Sequence, residues 1–322
     1  MAKLTVAVPS KGRIMDAAYA FFAEAGIPIE RPATAREYVG KVKGVAGVEV
    51  LFMSSSEIAA NLVAGTVHLG VTGEDLLREA SSDLDASVAL IKALAFGYAD
   101  VVVAVPGAWI DVANMADLDD VCAEFRQRHK RPLRVATKYS ALTRRFFATH
   151  GLTDYRIVES TGATEGAPTA GLAEIIVDIT TTGATLAANN LKLLRDGVIL
   201  KSQAQLAASL NNRWTRAAKD TLARVLDMVA AHDKAVSTII VRFQLAKKAS
   251  GLIRGFEQDG CVIAKSPPPE GELQCPQDRL YGTVRDLRSA GARGITVRVA
   301  DYLFGENNPL YDDFEQKLKN RK

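Results

Sequence analysis

The stretch Ile175-Ile176-Val177-Asp178-Ile179-Thr180-Thr181-Thr182-Gly183-Ala184-Thr185-Leu186 reads as an apolar strand reaching an acid, a hydroxyl-rich turn around one glycine, and the start of a helix. A continuously apolar strand is what a parallel sheet covered on both faces requires, so the segment predicts an α/β fold. The turn also suits a phosphate monoester. Its oxygens need several converging donors, which backbone N–H groups at a helix start and threonine hydroxyls supply. Gly183 lets the backbone approach closely, because no Cβ stands in the way. Asp178, acceptor-only when ionised, matches ribose hydroxyls. A capped helix after a strand is the plainer reading, since threonine caps well. Four threonines around a single glycine exceed what a cap needs.

Outward from this segment the same alternation continues. Strands are predicted at Leu4–Val8, Val48–Phe52, His68–Val71, Val101–Val105, Leu133–Thr137, Tyr155–Glu159, Ile175–Asp178 and Val198–Leu200. Helices are predicted at Ile14–Ala25, Glu57–Ala64, Asn114–Gln127 and Ala141–His150. In the first of these, Ile14, Ala17, Ala18, Phe21 and Phe22 form one apolar stripe, and Gly26 stops it.

A long helix at Trp214–His232 carries Leu222, Val225, Leu226 and Val229 on one face. The rhythm then changes to β-α-β-β-α-β: Ser237–Phe243, Leu245–Gln258, Cys261–Lys265, Glu272–Cys275, Asp278–Ala290 and Gly294–Val299. That order is the signature of a small ferredoxin-like unit. A boundary near residue 220 follows. The expected organisation is a two-lobed region over 1–220, with lobe I about 1–100 and 186–220 and lobe II about 101–185, followed by a linker helix and small domain over 221–322.

Composition narrows the class. Of 322 residues, 48% are hydrophobic and 24% charged, the balance of a globular protein rather than a disordered or fibrous one. A net charge of +3 gives no reason to expect nucleic acid. Cys122, Cys261 and Cys275 are sparse and form no zinc pattern, which predicts free thiols in a reducing compartment. The N-terminus lacks a signal-peptide core and no apolar run is long enough to span a bilayer. The expectation is a cytoplasmic protein without membrane contact.

Further motifs stand in a series. Val8-Pro9-Ser10-Lys11-Gly12-Arg13 opens it, and Gly70-Val71-Thr72-Gly73-Glu74-Asp75 follows a strand. Phe96-Gly97, Asp100–Pro106, Ala136-Thr137-Lys138-Tyr139, Leu142–Phe147 and Gly162–Pro168 come next. Together with the threonine loop, the series resembles the ATP phosphoribosyltransferases, the family of the first enzyme of histidine biosynthesis. The loop's acid-x-x-x-Thr-Gly-x-Thr spacing is also similar to the phosphoribosyl-pyrophosphate loop of phosphoribosyltransferases, although Val177 stands where many have a second acid.

The resemblance implies a bilobal fold like type II periplasmic binding proteins, with the active site in the cleft. The family joins N1 of the ATP adenine to C1 of phosphoribosyl pyrophosphate, releasing pyrophosphate with Mg²⁺ present. It implies catalytic and nucleotide-binding roles for Lys11 and Arg13, and nucleotide contact for Gly73 and Asp75, where capping the helix Leu76–Glu79 is the alternative for Asp75. It assigns Glu165, Asp178, Thr180, Thr181, Thr182, Gly183, Ala184 and Thr185 to phosphoribosyl pyrophosphate. Arg144 and Arg145 read equally as cleft cations or a solvated helix face. No histidine is assigned to catalysis, and the four histidines read as surface or capping residues.

Phe52–Ala59 lacks the Arg-x-x-Asp-Ile-Pro-like run common in the family. The last unit resembles the domain that binds histidine as feedback inhibitor in long-form members, though Pro267–Pro269 and the tail Gly305–Lys322 depart from it. A homo-oligomer, dimer or hexamer, is expected. The rival reading is a non-catalytic regulatory or small-molecule-binding protein on the same fold.

Overall fold

The structure, a computed structural model, describes residues 3–30, 39–160, 162–246 and 250–321. In chain order its elements are β1 (Leu4–Pro9), α1 (Met15–Glu24), β2 (Val39–Gly40), β3 (Val48–Met53), α2 (Ser55–Ala64), β4 (Leu69–Gly73), α3 (Glu74–Ala80), α4 (Leu84–Ser87) and β5 (Val88–Ala93). There follow β6 (Ala99–Pro106), α5 (Met115–His129), β7 (Leu133–Thr137), α6 (Ser140–Thr149), β8 (Tyr155–Glu159), β9 (Ile175–Thr180), α7 (Ala184–Ala188) and β10 (Leu191–Ser202). The remainder comprises β11 (Ala204–Ser209), α8 (Arg216–Val236), β12 (Thr238–Gln244), α9 (Ser250–Gln258), β13 (Val262–Lys265), β14 (Glu270–Pro276), α10 (Leu280–Ser289), β15 (Arg293–Arg298) and α11 (Pro309–Asn320).

Three sheets result. The first has the order β2-β3-β1-β4-β11-β5, the second β10-β6-β9-β7-β8. Strand β1 shows why both faces must be apolar: Val6 and Val8 join the core beneath α1 and α8, while Ala7 faces Ile58 and Leu62 of α2. The chain crosses between the lobes twice, from β5 to β6 and from β10 to β11. The α/β, bilobal expectation holds. Strand β10, allotted from sequence to lobe I, instead pairs with β6 (Leu193 opposite Ala104) and so belongs to lobe II.

The third sheet, β13-β14-β12-β15, is fully antiparallel and gives the expected ferredoxin-like order. Val241, Phe243 and Leu273 pack on Phe256 and Leu287 of its two helices. The boundary drawn at 220 falls inside α8. The α8 stripe Leu222, Val225, Leu226 and Val229 is buried in the lobe I core, and Phe314 of α11 returns to the same core. The last helix begins as its sequence dictates, with the Asn308 side chain accepting the Tyr311 N–H at 3.2 Å and Pro309 in the first turn.

Two further expectations are corrected. Cys261 and Cys275 form a disulfide across the small domain, which the wide sequence spacing concealed. Only Cys122 of the three is free; it is buried, and burial pushes its thiol up to about 12. His68 is no surface residue: it is 9% exposed, its Nδ1 lies 2.7 Å from Thr5 Oγ1, and its ring meets Trp214 edge-on.

Candidate active site

Lys11, Gly12 and Arg13 form the turn that leaves β1, with Gly12 at φ 89°, a conformation that favours glycine. All three are exposed. Across the cleft, β9 ends at Thr180 and the loop Thr181–Gly183 leads into α7. Gly183 is the left-handed N-cap of that helix, at φ 76°, and its N–H donates to Thr180 Oγ1 at 2.8 Å. Helix α7 has only five residues, so the loop's N–H groups and hydroxyls matter more than any long helix dipole. Thr181, Thr182 and Thr185 are exposed there, as is Ala184.

The structure brings these two expected segments together. Arg13 Nη1 donates to Thr181 Oγ1 at 3.2 Å, and Thr181 Oγ1 donates to the Tyr98 carbonyl at 3.2 Å. Tyr98, in the segment that crosses between lobes, carried no motif signal of its own.

Asp178 lies behind the loop, half-buried, with Oδ1 accepting its neighbour Ile179 N–H at 2.8 Å. Burial raises its pKa, the Glu165 charge adds to that rise, and the Ile179 N–H, the Lys138 charge and Thr164 oppose it. Glu165 sits in a single 3₁₀ turn, Thr164–Gly166, entered through Ala163 at φ 49°. Thus Glu165, Asp178 and Lys138 converge near the loop, while Arg13 meets it from lobe I and Lys11, in the same turn as Arg13, acts on Glu57 at the start of α2.

Asp75 is placed differently from expectation. Helix α3 begins at Glu74 with Gly73 as N-cap, two residues earlier than the predicted helix, which turns Asp75 inward. Asp75 is 6% exposed and caps nothing. Its Oδ2 accepts from Tyr139 Oη at 2.6 Å and its Oδ1 from Ser202 Oγ at 2.9 Å. A Cβ on Gly73 would collide with that carboxylate, which explains the glycine. Arg145, one of the ambiguous pair, donates to the Arg78 carbonyl of lobe I. Ser54 and Glu57 form a reciprocal capping box on α2, so the atypical Phe52–Ala59 run starts a helix in its own way.

Comparison with known proteins bears on the family and on the fold. The family model described as HisG, ATP phosphoribosyltransferase, matches residues 54–230. An ATP phosphoribosyltransferase of Afipia carboxidovorans is 52% identical over 317 residues, covering 97% of this chain and 98% of that protein. That of Rhodopseudomonas palustris strain HaA2 is 51% identical over 322 residues, covering 99% of each. Among solved structures, the ATP phosphoribosyl transferase HisG:HisZ complex from Thermotoga maritima is 24% identical with a TM-score of 0.54, covering 70% of this chain and 96% of that one, a likeness of fold.

Proposed function

The chain belongs to the ATP phosphoribosyltransferase family, and we propose that its cleft works with Lys11 and Arg13 on one wall and the Asp178–Thr185 loop on the other. The enzyme transfers the phosphoribosyl group to N1 of the ATP adenine and releases pyrophosphate, the committing step of histidine biosynthesis. A non-catalytic role is not favoured by relatives of this identity over the whole chain.

In the transfer, the C1–oxygen bond to pyrophosphate breaks as the N1–C1 bond forms, and the electron pair leaves on the pyrophosphate oxygen. C1 becomes oxocarbenium-like, so the task is to hold two polyanions and stabilise departing charge; no covalent nucleophile is needed. The loop hydroxyls and N–H groups, with Gly183 admitting close approach, take the 5′-phosphate. Asp178 accepts from the ribose hydroxyls, and Glu165 borders the same pocket. Lys11 and Arg13 meet the nucleotide phosphates or the leaving pyrophosphate, for which a guanidinium fork and a point charge both suit. Gly73 and the start of α3 border the nucleotide side.

Magnesium fits as an ion carried mainly by substrate oxygens. Among the described residues no group of three or more His, Cys, Asp or Glu is placed to hold a metal, and Asp178 and Glu165 supply the sparse carboxylates such an ion takes. Bound there, it would neutralise pyrophosphate charge.

The observation carrying this reading is the Arg13–Thr181 hydrogen bond, which ties residues 168 positions apart at the mouth of the cleft. Calorimetry of phosphoribosyl pyrophosphate with Thr181→Ala and Arg13→Ala tests it. Weaker binding in both is expected, and unchanged affinity in both removes the assignment.

The small domain is read as the effector unit, with free histidine bound between copies in a cytoplasmic homo-oligomer. Among the described residues no helix is long and apolar enough to cross a membrane. Steady-state assays with about 1 mM histidine, where ~4 kcal/mol of binding registers, decide this. Absence of both inhibition and binding heat assigns the domain to assembly instead.

A further inference from the structure

The turn between β7 and α6 holds two neighbours in opposite surroundings. Tyr139 is 1% exposed, whereas Lys138 is exposed. The phenol of Tyr139 donates to Asp75 Oδ2 at 2.6 Å, and Asp75 is fixed in turn by Ser202, which donates to Oδ1 at 2.9 Å and accepts the Asp75 N–H at 3.0 Å. Asp75 stands on α3 at lobe I and Tyr139 on lobe II, so this bond crosses the cleft floor. Two more bonds run beside it: Glu79 of α3 accepts the N–H groups of Ala141 and Leu142 at 2.8 and 2.9 Å. Helix α3 therefore grips the start of α6.

The Tyr139 ring has a second face to use. Lys138 Nζ lies 5.0 Å from its centroid, within the range of a cation–π contact. The ring is held by its burial and its phenol's bond to Asp75, and the backbone that carries it is held because the Tyr139 carbonyl accepts from Thr143 Oγ1 at 2.6 Å and its N–H donates to Thr137 Oγ1 at 2.8 Å. A lysine on a bare surface samples many rotamers; over a locked ring it samples few. A buried carboxylate is weak evidence for stability, since apolar residues of similar volume serve packing as well.

We propose that Tyr139 is a positioning residue for phosphoribosyl transfer: anchored on Asp75 across the lobes, its ring holds the Lys138 ammonium beside the Asp178–Thr185 loop, where it meets the departing pyrophosphate. Lys138 transfers no proton. It stabilises the charge that arrives on the pyrophosphate oxygen as the C1–oxygen bond breaks. Strand β7 runs parallel to β9 with Thr137 opposite Val177, so Lys138 leaves its strand beside Asp178 at the head of the loop, independently of the ring contact. The inference rests on the loop reading for the position of pyrophosphate; Gly183→Val binding tests that reading alone, so the two fail separately.

A double-mutant cycle on the full-length enzyme decides it, with kcat and KM for both substrates and the melting temperature measured for each variant. Tyr139→Phe keeps the ring and loses the anchor. It is expected to lower kcat about tenfold with KM for ATP unchanged, and to have less than about twofold effect on kcat in a Lys138→Ala background. Equal kcat losses in both backgrounds, or an unchanged kcat in Tyr139→Phe, overturn the proposal. A purely structural role would move the melting temperature without this coupling in kcat. Should Tyr139→Phe fail to fold, Asp75→Asn paired with Lys138→Ala is judged by the same coupling.

Discussion

Arg13 reaches across the cleft from lobe I to hydrogen-bond Thr181 of lobe II, guanidinium to hydroxyl, at 3.2 Å. Both side chains are exposed, so the bond adds little to folding: exposed pairs contribute between nothing and about 1 kcal/mol. A phosphate seated between them would meet a free guanidinium fork and a threonine hydroxyl together. The contact marks where the two walls of the cleft converge.

Arg13→Ala should lower kcat/KM at least about tenfold, because a guanidinium–phosphate contact in a closing cleft is stronger than an exposed pair. Its unfolding free energy should stay within about 0.5 kcal/mol of wild type, as for an ordinary surface change. Steady-state kinetics and urea unfolding of the same preparation check both halves. Wild-type kinetics would reduce the Lys11–Arg13 turn to a lead into α1.

Gly183→Val should abolish phosphoribosyl pyrophosphate binding while the chain still folds. In the free protein an added Cβ meets nothing within 4 Å, so no neighbour is displaced. The backbone sits at φ 76°, where a β-branched residue costs about 1–2 kcal/mol. The side chain would instead occupy the space the phosphate needs. Calorimetry detects the lost binding, and a melting curve lowered by only a few degrees shows that the fold survived.

Gly183 and its threonines were legible because strand, turn and helix start are contiguous in sequence, and each residue type there has a local conformational reason. The sheets were less so. Strand β5 (Val88–Ala93) and strand β11 (Ala204–Ser209) escaped notice, since alanine, lysine and glutamine in them carry little strand propensity. Their strand character comes from pairing on both sides of β11, which is a property of neighbours distant in sequence. The Arg13–Thr181 and Asp75–Tyr139 bonds are unreadable for the same reason, spanning 168 and 64 residues. Asp75 shows the limit well: a helix that begins two residues earlier than expected puts it in the interior instead of on the cleft wall.

The activity should show an acid limb displaced upward by Asp178. Burial is the largest influence on this carboxyl and raises its pKa above the usual 3.8. A raised folded-state value means that the folded chain holds the proton more tightly. Its stabilising contribution is therefore complete below 3.8 and lost as pH rises through the folded value. Function runs the other way, since accepting from ribose hydroxyls requires the ionised form. The kcat/KM for phosphoribosyl pyrophosphate should fall on the acid side at a pH above 3.8. Asp178→Asn should remove that limb, lower the plateau and raise stability at neutral pH; a limb unchanged in Asp178→Asn assigns the titration elsewhere.

Phe314 ties the end of the chain to the catalytic lobe. Its ring is fully buried, 4.8 Å from Trp214 and packed in the core that Leu222 and Val225 of α8 also enter. The Lys317 ammonium donates to the Leu90 carbonyl on the edge strand β5 at 3.5 Å, so α11 also shields that edge. Both connections to the small domain, α8 leading in and α11 after it, are thus anchored in lobe I. Phe314→Ala should destabilise the protein by about 3–5 kcal/mol, the usual cost of emptying a buried aromatic site. A truncation at residue 236 removes this plug, so lost activity in that truncation reports a damaged lobe rather than a regulatory effect. Excising only the β12–β15 unit while retaining α11 is the proper deletion for testing histidine response. Urea midpoints of Phe314→Ala and of a chain ending at residue 308 should both fall well below wild type, and an unchanged midpoint in either would show that α11 does not brace the lobe.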